Sequence, residues 1–299
     1  MTSPSSEAIA STRRRAPKEG SGALIRAGLV DMFGRRRLTR YLVGADIKRT
    51  HADTLFGQLW WIIDPLLQMG VYIILVTIIF ARKTPDYPLF IFAAILPWKW
   101  FTAAVNDSIV SVSSQDRLIK QVRFPKIVLP AAAVSAGVVN FAFGMVPLVI
   151  LTIFWYPARL TPFMLLVPVI AIVQLVFSLA IGLVVSTINV FYRDIANISR
   201  HALRLWFYLS PALYGISTIK GLADSHPELY RLMQLNPFFT LFNAYRIVIY
   251  GQEIPGGGAT PPTWPDWTAL GILFVASLIF LMLATVFFKR IEPTFAKVL

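Results

Sequence analysis

The sequence predicts an all-α integral membrane protein. It reads as six transmembrane helices, an N-terminal amphipathic interfacial helix before them, and short re-entrant external helices between spans five and six. Three observations carry this expectation. Of 299 residues, 56% are hydrophobic and only 14% charged, against roughly 25% charged in ordinary soluble domains. Apolar stretches long enough to cross a bilayer, about 20 residues each, recur along the chain. Lysine and arginine gather in one alternating set of the connections between them.

The elements follow in order. Residues 1–30 are expected to be a disordered cytosolic tail, rich in Ser, Arg, Pro and Gly. No apolar segment follows the Arg13–Arg15 cluster, so a signal peptide is not expected there. Residues 35–57 read as the interfacial helix. Leu38, Tyr41, Leu42, Ala45, Ala52, Leu55, Phe56 and Leu59 recur at helical spacing, and Arg36, Arg37, Arg40, Lys48 and Arg49 fill most of the rest. A basic amphipathic helix of this kind lies in the headgroup plane, as an anchor or as a surface for a partner. Residues 58–290 form the transmembrane domain, and 291–299 a cytosolic tail.

The six spans are placed at 59–81, 89–112, 127–155, 162–190, 202–219 and 268–288. The third and fourth exceed the required length and contain Pro130, Pro147 and Pro168, so tilt or kinks are expected. The fifth is short and broken by Pro211. Twenty-one of the 28 Lys and Arg fall in 1–58, 113–126, 191–204 and the segment after 288. The positive-inside rule then puts both termini in the cytosol. Between spans five and six, 220–267 is long for a loop, and its stretch 227–250 is too apolar for open water. Two short helices dipping back toward the membrane, broken at Asn236–Pro237, fit it.

The chemistry is that of a conduit rather than a catalyst. The chain holds no cysteine, and its three histidines, His51, His201 and His226, have no metal-ligand spacing. No metal site is expected. There is no Gly-Lys pair, hence no phosphate-binding loop of the G-x-x-x-x-G-K-[S/T] type. Any ATP-driven transport would draw on a separate ATPase. The acidic residues Asp224, Glu228, Glu253 and Asp266 are scattered, which argues against a membrane glycosyltransferase. Asp64, Lys99 and Asp107 lie at or within spans, where ionisable groups mark functional sites or hydrated edges. Trp60, Trp61, Trp98, Trp100, Phe101, Tyr208 and Tyr214 are either an interfacial aromatic belt or rings on which a sliding sugar polymer stacks.

Five stretches resemble the membrane subunits of type-two ABC exporters for lipid-linked polysaccharides, such as O-antigen and wall teichoic acid exporters. They are LFGQLWWIIDPLL at 55–67, LPWKWF at 96–101, RLIKQVRFPKIVLP at 117–130, FYRDI at 191–195, and SPALY at 210–214 together with Asn236–Pro237 and Tyr245–Arg246. The matches span about residues 38–290, and their order and spacing are more specific than any one of them. Lys99 departs by placing a charge in the span-two signature, and His51 falls where an aromatic is common.

The resemblance implies a permease in the bacterial inner membrane. It pairs with a second copy of itself and with two ATPase subunits that bind ATP and Mg. The chain itself needs no cofactor, is not an enzyme and binds no nucleic acid. The resemblance further implies that the seven aromatics above line the conduit. Arg36, Arg37, Arg40, Lys48 and Arg49 would hold the lipid pyrophosphate or membrane headgroups. Asp116, Arg117, Lys120, Arg193 and Asp194 would couple to the ATPase. Asn236, Pro237, Phe238, Phe239, Tyr245 and Arg246 would form an external gate within 220–267. An exporter of small drugs or lipids built on the same machinery is the alternative.

Overall fold

A computed structural model describes residues 20–50, 54–79, 86–122, 124–215, 226–254 and 258–298. His51, Arg123, Asp224, the Arg13–Arg15 cluster and the ends of the first and fifth expected spans lie outside them.

The described chain is helical: α1 Ser21–Gly34, α2 Arg36–Thr50, α3 Trp60–Ile73, α4 Tyr87–Ser111, α5 Asp116–Gln121, α6 Val128–Trp155, α7 Val167–Phe191, α8 Ile195–Leu209, α9 Pro227–Gln234, α10 Pro237–Ile249 and α11 Trp267–Val298. The only β pairing among the described residues is a bridge between Glu253 and Ala259. Five helical stretches among them are long and apolar enough to cross a membrane: Gly57–Ile78, Tyr87–Gln121, Val128–Trp155, Pro162–Phe191 and Trp267–Val298.

These agree with five of the six expected spans. The fifth differs. The expected 202–219 begins earlier as α8 and stops at Leu209, where Ser210 turns extended (φ −99°, ψ 150°). Pro211 is the cause, because its ring pushes the preceding residue out of the helical region. At 15 residues α8 is about 22 Å long, short of the ~30 Å hydrocarbon core. The other prolines do little damage. Pro130 and Pro168 lie in the first turns of α6 and α7, where a missing N–H costs nothing, whereas Pro147 is interior to α6, as Pro65, Pro97 and Pro293 are to α3, α4 and α11.

Both ends of the described chain are helical. The tail expected to be disordered through residue 30 is helical from Ser21. It is held because it packs on α11: a Cβ at Gly28 would overlap Thr285, and Lys289 pairs with Asp31. The interfacial helix expected over 35–57 runs as α2 to Thr50, and after a turn at 55–56 a short 3-10 helix, Gly57–Leu59, leads into α3. The terminal segment expected as a tail continues α11 to Val298.

α4 is the centre of the protomer. It packs against α3, α6, α7, α8 and α10, and residues 89–98 are buried throughout. Small residues on its neighbours allow the approach, since helices in lipid associate by close packing. A Cβ at Gly137 of α6 would sit 2.7 Å from Cδ1 of Trp100, so only glycine fits. Polar side chains of α7 then tie it to α4. Gln174 donates to the Pro97 carbonyl at 2.7 Å, and Asn189 donates to the Ile109 carbonyl at 2.9 Å. In contrast, α3 and α8 turn large apolar side chains outward: Leu67, Val71, Ile74 and Ile78 on the first stretch, Leu205 and Leu209 on the second.

Candidate functional site

The expected conduit aromatics divide into two groups. Trp98, Trp100 and Phe101 are 6%, 2% and 0% exposed. Trp98 packs on Phe238 (ring centroids 4.8 Å), Phe207 and Phe101, Trp100 stacks on Phe141 at 4.9 Å, and Phe101 meets Phe238 at 4.7 Å. These three lie in the packing between α4, α6, α8 and α10 within one chain and present little open surface. Trp61 is likewise buried, against Phe143. Trp60, Tyr208 and Tyr214 retain exposed surface, Tyr208 at 56%.

Lys99 escapes this core sideways. Its ammonium pairs with the Asp64 carboxylate on α3. The two charged residues flagged separately in the sequence are thus one feature, and the Asp64–Pro65 and LPWKWF motifs meet there.

The residues expected to form an external gate are also brought together. Asn236 caps α10, its Oδ1 accepting from the Phe238 N–H at 3.0 Å and from Trp206 Nε1 at 3.0 Å. Its amide nitrogen donates to Ser210 Oγ at 2.8 Å, so one side chain joins the end of α8 to the start of α10. Pro237 follows in the first helical turn, Phe238 is fully buried and Phe239 half-buried. Tyr245 and Arg246 are buried too. The Arg246 guanidinium lies 3.7 Å over the Phe90 ring and donates to the carbonyls of Phe90, Pro211, Ala212 and Tyr214. These last three carbonyls lie beyond the end of α8, where no helical donor reaches them. Arg246 supplies what the broken helix lacks.

Nearby, Arg159 does the same for the outer loops. It holds the Asp86 carboxylate at 3.1 Å and the Thr260 carbonyl at 2.6 Å, under which Gly251 (φ 103°) leaves room. The sequence reading passed over Arg159, Gln174 and Asn189. A lone amide in an otherwise aliphatic span was the available signal for the last two.

At the opposite end, α5 carries Asp116, Arg117 and Lys120, of which Arg117 and Lys120 are exposed. Arg193 and Asp194, also exposed, follow α7. Asn189 reaches Ser113 Oγ at 3.1 Å, which sets these two segments side by side. A cleft of about 660 Å³ opens there, between the α5 turn and the end of α11, walled by Ile119, Lys120, Phe124, Pro125, Lys126 and Ala296. Glu292 of α11 accepts the Lys126 backbone N–H at 2.6 Å. On α2, Arg36, Arg37, Arg40, Lys48 and Arg49 are all exposed, and no residue of the helix is fully buried. Half-buried Asp46 on the same helix has its carboxyl pushed above the ordinary carboxylate range by burial, with Arg49 pulling it back.

Residues 38–250 match the family model described as ABC-2 type transporter. The chain is 31% identical over 267 residues to an O-antigen export system permease protein RfbA of Myxococcus xanthus, covering 89% of this chain and 97% of the relative. Two RfbA permeases of Klebsiella pneumoniae are 26% and 24% identical, each across 86% of this chain and 93% of the relative. The interrupted helix α8, the turn ahead of α6 and the aromatic core thus occupy a chain that belongs to the ABC-2 type transporter family.

Proposed function

We propose that this chain is the transmembrane subunit of an ATP-driven exporter. It carries a lipid-linked polysaccharide of the O-antigen class from the cytosol across the bacterial inner membrane. The observation that carries this reading is the match, along nearly their whole length, to relatives named as O-antigen export permeases. In this reading two copies meet through the outward apolar faces of α3 and α8 and enclose the path between them. The short α8 and the segment after Pro211 complete the sixth crossing, α9 and α10 dip back from the outer face, and both termini are cytosolic. Two ATPase subunits bind ATP and Mg and dock on α5 and the Arg193–Asp194 turn. Exposed arginines on α2 receive the pyrophosphate.

Deleting this chain in its native cell tests the reading. Surface glycan is expected to disappear while lipid-linked polymer accumulates on the cytosolic leaflet, and re-expression is expected to restore it. The purified chain alone is expected to hydrolyse no ATP. Normal surface glycan in the deletion strain overturns the proposal.

Coupling gives a second expectation. Reversing Arg117 and Lys120 together to glutamate puts negative charge against the docked ATPase, and like charges juxtaposed at an interface weaken it by several kcal/mol. The complex is expected to dissociate, or to hydrolyse ATP without export. Wild-type export with normal complex yield would show that the ATPase docks elsewhere.

A further inference from the structure

Asp64, Gln68 and Tyr72 stand four residues apart on the helix that begins at Trp60. Residues i and i+4 share a helix face, and at 3.6 residues per turn such a row drifts by about 40° per step. Here the row follows the edge of α3 that meets α4 and α8. The Asp64 carboxylate holds Lys99 of α4, the Gln68 side chain lies beside Tyr72, and the Tyr72 ring lies 5.8 Å from Phe207 of α8, whose neighbour Tyr208 is exposed. The rest of the outward surface of α3 is aliphatic.

The ion pair joins the middle of α4 to the second turn of α3, where Asp64 is the fifth residue. Lys99 is the thirteenth residue of the 25-residue α4, about 18 Å from its outer end at 1.5 Å per residue. Its side chain is 27% exposed and that of Asp64 is 63% exposed. An ion pair this open at that depth is strongly disfavoured against lipid tails, and intramembrane charges face cavities or bundle interiors instead. Water must therefore reach this edge of the protomer.

We infer that the row from Trp60 to Tyr72, with Lys99 and Tyr208, is a wall of the water-filled path and binds the hydroxyl groups of the passing glycan. This rests on the export reading above. The Asp64 carboxylate and Gln68 oxygen accept from sugar hydroxyls, and the Lys99 ammonium and Gln68 amide donate to them. The Trp60, Tyr72 and Tyr208 rings present faces to sugar C–H groups. The two charges cancel, so the wall selects for hydroxyl-rich chains without trapping acidic ones, and a conducting path needs binding that permits leaving.

The absence of native cysteine makes the test direct. Single variants Asp64→Cys, Gln68→Cys and Tyr208→Cys are made in the permease, assembled with its ATPase in membrane vesicles. Ile279→Cys, on the exposed apolar side of α11, is the reference. A charged, membrane-impermeant thiosulfonate reacts with thiolate in water. It is expected to modify the three row positions at least about tenfold faster than position 279, because thiols in hydrocarbon do not ionise. Modified Gln68→Cys is expected to stop export, with the cysteine-free chain unaffected. The inference is overturned if the row is as unreactive as position 279 both with and without ATP. It is also overturned if fully modified Gln68→Cys still exports at the wild-type rate. Gln68 and Tyr208 stand outside the ion pair, so the test survives if Asp64→Cys fails to assemble. A reactive row in an active complex that carries no glycan would overturn the sugar assignment and the export reading together, while leaving the water path in place.

Discussion

Replacing Arg246 by alanine is expected to remove most of the folded protein from the membrane. Arg246 is 5% exposed and its guanidinium serves four backbone carbonyls, three of them in the stretch that follows α8. Each buried polar group left without a partner costs about 1–3 kcal/mol. The variant should therefore lose about 4 kcal/mol or more, a size reserved for broken buried networks, from a total of only about 5–15 kcal/mol. Arg246→Lys should recover little, because an ammonium is a compact point of charge and lacks the planar fork that reaches several carbonyls at once. Membrane yield and the melting temperature of the detergent-purified complex measure the effect. Normal yield and melting with export alone abolished would mean that Arg246 acts on the cargo and not on the fold.

Trp98 gives the second large effect. Its indole sits among Phe101, Trp206, Phe207, Phe238 and Phe242. Trp98→Ala opens a cavity where these other rings converge, and truncations of buried aromatics cost about 3–5 kcal/mol. Yield is expected to fall in step with export, and Trp98→Cys is expected to stay unreactive to water-soluble thiol reagents in every nucleotide state. Tyr208→Ala is the contrast. Its ring is 56% exposed, so stability should change by no more than about 0.5 kcal/mol, with export slowed. Thiol reagents reaching position 98, or export lost at full yield, would return Trp98 to the path.

The sequence and the structure part company where one residue type serves two environments. Of the six spans placed by hydropathy, five coincide with helices long enough to cross a membrane, because roughly 20 aliphatic residues in a row have few other uses. Trp98 and Tyr208 were indistinguishable by composition, since a ring in the packing between helices and a ring beside a path are both large and apolar with one polar tip. Only the packing of α10 onto α4 separates them. Likewise the resemblance placed Arg246 in an external gate, but the hydrogen bonds it makes run to carbonyls more than 30 residues earlier in the chain, which no local pattern reveals. Asp64 and Lys99 were each visible as out of place, but their pairing spans 35 positions. Residues 21–30 lack long apolar runs, and the small contact at Gly28 that orders them leaves no periodic mark.

The hydrogen bond from the Lys126 backbone to Glu292 gives α11 a mechanical meaning. From Trp267 to Glu292 the helix is continuous, Pro293 coming just after, and at 1.5 Å per residue this arm is about 39 Å long. The loop that follows α5 grips it near its lower end. By simple trigonometry on that length, a rocking of about 5° about the grip carries the Trp267 end through about 3 Å, close to the width of a water molecule. A rocking about this grip would be magnified at the far end of the helix, where Asp266 caps it and the chain turns back toward Gly251.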